Sequence, residues 1–335
     1  MGHLARYPFG VGATEVAHIL ATQTIWQARP KAMRLVIEGT LGVGITTKDI
    51  ALNWIARLGT DGARGYAIEY AGSTARALSM DGRMTLCNLS IEGGARMGMI
   101  APDQTTVDYV IGRPFAPRGA DWQAALDNGA DLYSDADAPF DKEISLDATQ
   151  IAPSVSWGTS PEQALPISAS LPDPSRLGAE KVEQAWAALD YMGLKAGQPI
   201  AGTPVDQVFI GSCTNGRIED LRMAAAVLQG RRARVPGIVP PGSMLVKQQA
   251  EQEGLDQIFA QAGLDWVASG CSMCVGMNGD LVPPGKRCAS STNRNFRGRQ
   301  GRGARPHLMS PVMVAAAPIT GTLSDARPFL AQGGV

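Results

Sequence analysis

Two stretches of this chain end an apolar run with a glycine and a cysteine. One is Phe209-Ile210-Gly211-Ser212-Cys213-Thr214-Asn215, the other Ser269-Gly270-Cys271-Ser272-Met273-Cys274. A helix-like run follows each. Strand–turn–helix units of this kind, repeated along a chain, build a largely parallel sheet. In such a sheet ligands gather at the C-terminal ends of the strands, and both cysteine turns fall at such ends.

The spacing leaves several uses for the thiols open. Cys271-x-x-Cys274 reads as a buried thiol pair, a redox pair, half a zinc site or half a cluster site. A structural zinc takes four ligands, usually as two close pairs. Cys213 has no cysteine near it, and the histidines are His3, His18 and His307. Zinc therefore needs a distant fourth ligand. An iron–sulfur cluster is ligated by thiolates, and three ligands to a four-iron cluster leave one iron open as a Lewis acid.

A second feature is the turn from Thr292 to Gly303, where Arg294, Arg297, Arg299 and Arg302 alternate with glycine and asparagine. Planar guanidinium forks suit carboxylates or phosphates. The competing readings are a solvated basic loop and an RNA-binding segment. Phe296 is its one stacking platform, and the net charge of the chain is −1, which speaks against RNA. A third feature is Glu92 in Ser90-Ile91-Glu92-Gly93-Gly94. Its pattern alone reads as a solvated helix residue, although a carboxylate among small residues can reach a bound hydroxyl. Cys87 and Cys288 read as small buried hydrophobes, as do Met80, Met273 and Met277. His307 reads as a structural histidine. Lys48 and Asp49 read as helix-surface charge.

At 335 residues two or three domains are expected. No apolar run approaches the ~20 residues of a membrane span, and Met1 to Arg6 lacks the apolar segment of a signal peptide. Five cysteines form no disulfide framework in so long a chain, which suits a reducing cytoplasm.

In chain order, Phe9-Gly10-Val11-Gly12 leads into a helix that Thr14 caps, with Val16, Ile19 and Leu20 as its apolar face. Met33 to Gly39 reads as a strand, Thr46 to Ala56 as a helix with Ile50, Trp54 and Ile55 inward, and Tyr66 to Ala71 as a strand. Met84 to Gly98 reads as a helix. These make one α/β unit, bounded by the Asp-rich loop at Ser134 to Pro139. Beyond it, helices are expected at Lys181 to Tyr191, Arg217 to Leu228 and Lys247 to Ala262. Strands are expected at Val205 to Ile210, Gly237 to Val239 and Trp266 to Ala268.

Taken together, five segments resemble the aconitase superfamily, and within it the large subunit of 3-isopropylmalate dehydratase. They are Ser79 to Asn88, Trp157-Gly158-Thr159, Phe209 to Leu221, Gly270 to Cys274 and Cys288 to Arg299. The likeness runs from about Phe9 to the C-terminus. It implies aconitase-like three-layer α/β/α domains with parallel-rich sheets around a cluster-binding cleft. It also implies three domains: residues 1–31 as a remnant of the first, 32–143 as the second, and 144–335 as the third, carrying the cysteines. Cys213, Cys271 and Cys274 would ligate a [4Fe-4S] cluster whose open iron takes the substrate hydroxyl. Glu92 would stand near that hydroxyl, with Asn88 as an accompanying polar residue. Arg294 and Arg299 would bind the carboxylates, and Asn215 and Asn293 would line the site. The activity implied is isomerisation of 2- and 3-isopropylmalate in leucine biosynthesis. Citraconate or homoaconitate hydration and a non-catalytic remnant are the alternatives.

Two departures shape the expectations. The family's Gly-Asp-Ser-His-Thr motif has no match in Met1 to Pro8, so most of the first domain is expected to be missing. The swivelling domain is also absent, which in this subfamily implies a separate small subunit as partner.

Overall fold

The computed structural model describes residues 13–130, 132–276 and 279–330. His3, the segment Phe9 to Gly12 and Met277 lie outside the described residues. From Ala13 the chain runs α1 (Ala13–Thr22), β1 (Lys31–Glu38), α2 (Thr47–Leu58), β2 (Tyr66–Ala71), α3 (Ser73–Ala77) and α4 (Met80–Leu89). It continues through β3 (Met97–Met99), α5 (Gln104–Val110), α6 (Ala120–Ala130) and β4 (Lys142–Asp147). Contacts divide the chain into two compact units. Met1–Thr40 with Thr60–Thr149 is one, and Leu41–Gly59 with Gln150–Val335 is the other.

In the first unit a parallel sheet takes the order β3-β2-β1-β4. Met33, Leu35 and Ile37 alternate along β1 and are fully buried, the period-2 signature of a strand with a packed face. The helix expected from Met84 to Gly98 starts and stops earlier. Ser79 Oγ caps α4 by accepting from Gly82 N at 3.1 Å, and the helix gives way at Ser90 to a single 3-10 turn ending at Gly94. Gly94 is left-handed (φ 85°), and a Cβ there would lie 2.7 Å from Thr60 O. Glycine therefore ends the helix and lets the chain turn into β3. Arg83 fastens α4. Its guanidinium pairs both oxygens of Asp103 at 2.7 and 2.6 Å and donates to the carbonyls of Leu78 and Arg76. Thr14 lies inside α1 rather than capping it, and Val16 and Leu20 are exposed, so the expected apolar face of α1 is not covered.

The second unit continues with β5 (Ser154–Ser156), β6 (Ala164–Pro166), α7 (Ala179–Met192), β7 (Gln207–Phe209), α8 (Ile218–Leu228), β8 (Gly237–Val239) and α9 (Met244–Gln252). Then come α10 (Leu255–Ala262), β9 (Asp265–Trp266), β10 (Arg287–Ser290), β11 (Arg305–Leu308), α11 (Pro311–Thr320) and α12 (Arg327–Leu330). The run from Lys247 to Ala262 is two helices, broken at left-handed Gly254 (φ 73°). The sheet order is β11-β10-β7-β8-β9, parallel throughout. On α8, Leu221, Ala224, Ala225 and Leu228 form a buried stripe at helical spacing, facing α11.

By sequence order α2 is expected with the residues around it. Its contacts put it in the second unit instead, against β5 and β6. Ile50, Trp54 and Ile55 are buried as expected. Lys48 and Asp49 are not surface charges: they are 1% and 0% exposed. Asp49 closes the helix start by accepting from Thr46 N and Thr46 Oγ1, both at 2.9 Å, and it accepts from Ser154 N at 2.8 Å. Burial pushes its carboxyl upward, against those hydrogen bonds. Spacing alone does not reveal this, because a charge at the first turn of a helix is ordinarily solvated.

His307 is structural, as expected. Its Nε2 lies 2.8 Å from an Arg287 nitrogen, and a guanidinium only donates. Nε2 is therefore the acceptor, and Nδ1 carries the proton it donates to Ser156 O at 2.6 Å. Burial first and the Arg287 charge second push its pKa down to about 3, against the Ser156 bond. The folded value lies below the unfolded one of about 6.5, so its contribution is complete above pH 6.5 and is lost as pH falls toward 3. Urea titrations at pH 7 and pH 4.5 should show that His307→Gln removes about 3 kcal/mol of the acid loss seen in the wild type. Equal acid losses in the two proteins would contradict the neutral assignment.

Candidate functional site

The site is built at one edge of the second unit's sheet. From β7 the chain moves to β8 and β9 on one side, then returns to β10 and β11 on the other. β7 and β10 are therefore the neighbours at which the winding reverses. In an open parallel sheet this is where a crevice forms beyond the strand ends. The loop after β7 carries Cys213 and Asn215, and the loop after β10 carries Asn293, Arg294 and Arg299. Cys271 and Cys274 follow β9 at the same edge.

Hydrogen bonds tie the first two loops together. Ser291 Oγ accepts from Gly211 N at 2.8 Å and donates to Gly211 O at 3.0 Å. Asn215 Nδ2 donates to Asn293 Oδ1 at 2.5 Å, and Asn293 Nδ2 to Thr214 Oγ1 at 3.2 Å. At Gly211 (φ 141°) a Cβ would stand 2.0 Å from Pro240 O, so the loop passes this point only without a side chain. Ser212 (φ 88°) and Ser272 (φ 43°) are non-glycine residues with positive φ, each adjacent to a cysteine. Such strained residues persist where the surroundings fix them, and they cluster at functional sites.

Cys213 and Cys271 are exposed, and Cys274 is half-buried. Burial raises the Cys274 thiol; a hydrogen bond from Arg299 and its charge lower it; the charges of Cys213 and Cys271 raise it. The net direction is upward. Cys213 and Cys271 thus each lie within electrostatic reach of Cys274, with the Arg299 guanidinium beside it. Among the described residues, no three His, Cys, Asp or Glu side chains are arranged to hold a metal ion. The donor set is all thiol. Next to it are buried polar atoms without a hydrogen-bond partner among the described residues, Arg299 Nε and Asn215 Oδ1. An orphaned cationic donor beside three thiols calls for an acceptor, which the inorganic sulfides of a cluster would provide. On this chemistry the residues fit a thiolate-ligated cluster better than a lone ion.

The basic turn is not a solvated loop along its whole length. Ser291, Thr292, Asn295 and Gln300 are buried. Asn295 Nδ2 donates to Gly158 O at 2.7 Å and Ser156 Oγ at 3.0 Å, which accounts for the Trp157-Gly158-Thr159 segment. The four arginines have different settings. Arg297 stacks on Tyr191 at 5.1 Å and donates to Ala187 O, fastening the turn to α7. Arg299 lies over Phe296 and turns to Cys274. Arg294 and Arg302 are exposed. Cys288 is fully buried in a small cluster with Phe209, Met273, Val282 and Ala304, and burial raises its thiol. Glu92 and Asn88 belong to the first unit, half-buried in the 3-10 turn and exposed near the end of α4 respectively. Burial pushes the Cys87 thiol up to about 12.

Residues 1–321 match the aconitase family (aconitate hydratase). The chain belongs to the aconitase family. Members of this family are hydro-lyases, and the parallel α/β architecture agrees with its domains. Among solved structures the chain is similar to the holo form of aconitase X from Thermococcus kodakaraensis, at 8% identity and a TM-score of 0.40. That likeness covers 91% of this chain, and the chain spans 55% of that protein's length. Among the described residues no helix is long and apolar enough to cross a membrane.

Proposed function

We propose that this aconitase-family chain is the cluster-bearing subunit of a hydro-lyase that interconverts 2-isopropylmalate and 3-isopropylmalate through isopropylmaleate. Cys213, Cys271 and Cys274 would hold a [4Fe-4S] cluster. The supporting observation is the arginine-flanked set of three thiols at the edge where the sheet reverses. When bound, the cluster supplies an open iron as a Lewis acid toward the substrate hydroxyl. The chain's own residues do the rest. A branched malate is a dianion, and Arg294 and Arg299 are the guanidiniums that would pair its carboxylates. Asn293, held by Asn215 and Thr214, would orient the acid through its amide. Glu92 and Asn88 are assigned by resemblance alone, Glu92 as the group that passes a proton to the departing oxygen. A small swivelling subunit would supply the base and the remaining contacts.

The test is anaerobic reconstitution of the chain with its small subunit, followed by assay of isopropylmaleate hydration. Turnover of about 10 s⁻¹ is expected. Citraconate and the unsaturated homoaconitate intermediate serve as competing substrates, and preference for either moves the assignment within the family. A cluster-loaded complex inert toward all three acids would end the hydro-lyase reading.

A further inference from the structure

Lys48 occupies a position that two effects oppose. It stands in the first turn of α2 and is 1% exposed. Burying an ammonium costs several kcal/mol even after relaxation. The positive end of the helix dipole also disfavours a cation in the first turn. Neither stability nor helix formation calls for lysine there, so its contacts carry the explanation.

The ammonium donates to Ser291 O at 2.6 Å and to Thr292 O at 2.7 Å. These are consecutive residues directly after β10. In an extended strand successive carbonyls point opposite ways; here both face one nitrogen, so the chain turns about Lys48. In a trans peptide the N–H points opposite to the C=O. The planes that join Ser291 to Thr292 and Thr292 to Asn293 therefore aim their N–H ends away from the ammonium, and the charge polarises both. Asn293 and Arg294 follow immediately, and Ser291 is the residue whose hydroxyl clasps Gly211 before Cys213. Asp49, next along α2, fastens the same helix turn to β5. The segment 41–59 thus brings an anchored charge beneath the loop that joins the two halves of the site.

We propose that Lys48 is a positioning residue for substrate binding: it sets the turn Ser291–Arg294, so that Asn293 and Arg294 meet the carboxylate of the acid. This rests on the hydro-lyase reading for the nature of the ligand, but not for the anchoring. Lys48→Met and Lys48→Arg are tested in the cluster-loaded chain with its small subunit. Hydrogen exchange over 290–296 is read first, without substrate. It should quicken by about tenfold in both variants, because methionine removes the donor and the longer planar guanidinium of arginine cannot reproduce one nitrogen held between the two carbonyls. Unchanged exchange in Lys48→Arg, the variant that keeps the charge and the better prospect of folding, overturns the anchoring. Steady-state kinetics come second. KM should rise about tenfold with kcat within about threefold, the mark of lost binding rather than lost chemistry. A fall in active fraction with KM unchanged would make Lys48 a purely structural residue and overturn the proposal. If the wild type turns over none of the acids, the functional reading fails while the exchange result still decides whether Lys48 sets the turn.

Discussion

Serine in place of Cys213, Cys271 or Cys274 should remove the visible absorption of the reconstituted chain and lower turnover at least about a thousandfold, whereas alanine in place of Cys288 should leave both intact. The contrast follows from the surroundings of the thiols. Cys213 and Cys271 are exposed, and both act electrostatically on Cys274, which receives a hydrogen bond from Arg299. Loss of one thiolate leaves the cluster short of a ligand, and with it goes the Lewis acid. Cys288 is fully buried beside Phe209 and Met273, with its thiol raised by burial and directed at Ala289 O. A group so placed is packing, and its truncation should cost about 1–2 kcal/mol of stability. Iron and acid-labile sulfide analysis of the four variants checks the expectation. Equal cluster loss from Cys288→Ala and Cys213→Ser would show that the ligands have been assigned to the wrong cysteines.

Arg299→Ala should lower kcat/KM by about a thousandfold, equivalent to ~4 kcal/mol. Arg299 has two features that a small side chain lacks: it donates to Cys274, and its Nε is a buried donor that meets no acceptor among the described residues. Lysine should recover less than about tenfold of the loss, since a point charge does not reproduce the planar fork. Arg302 is exposed and among the described residues no hydrogen bond fixes it to the sheet edge, so Arg302→Ala should stay within about twofold of the wild type. Arg297→Ala should act through stability, because it releases the turn from Ala187 and Tyr191. Steady-state kinetics on 3-isopropylmalate separates these cases. If Arg302→Ala and Arg299→Ala were equally impaired, the turn would be a diffuse basic field rather than a clamp.

Local pattern was informative where burial and periodicity coincide. β2 and β8 fall on the expected residues, and α8 shows its buried stripe in the spacing of Leu221, Ala224 and Leu228. The glycine-flanked cysteine turns also pointed to the sheet edge, because a strand that ends in Gly-Ser-Cys leaves few other places for the thiol. Elements whose burial is not one-sided were harder to see. α11 is apolar all round over Val312 to Ala317 of its Pro311–Thr320 span and has no stripe to detect. β10 and β11 are four residues each and include Arg287 and Arg305, so neither shows the unbroken apolar run of a buried strand. The burial of Lys48 and Asp49 was invisible for a different reason. Their partners, Ser291, Thr292 and Ser154, are more than a hundred residues away in the chain, and no local pattern encodes such a meeting. The helix-start reading of Asp49 with Thr46 was available in the spacing, since an acidic residue three places after threonine closes a capping box.

Three cysteines that hold a four-iron cluster leave one iron free for the substrate. Mössbauer spectroscopy of the iron-57-reconstituted chain with its small subunit, before and after 2-isopropylmalate, tests it most directly. About four irons and four sulfides per chain are expected, with about one iron in four changing its spectrum on addition of the acid. About one iron per chain without sulfide, or a four-iron spectrum that 2-isopropylmalate leaves unchanged, would contradict it.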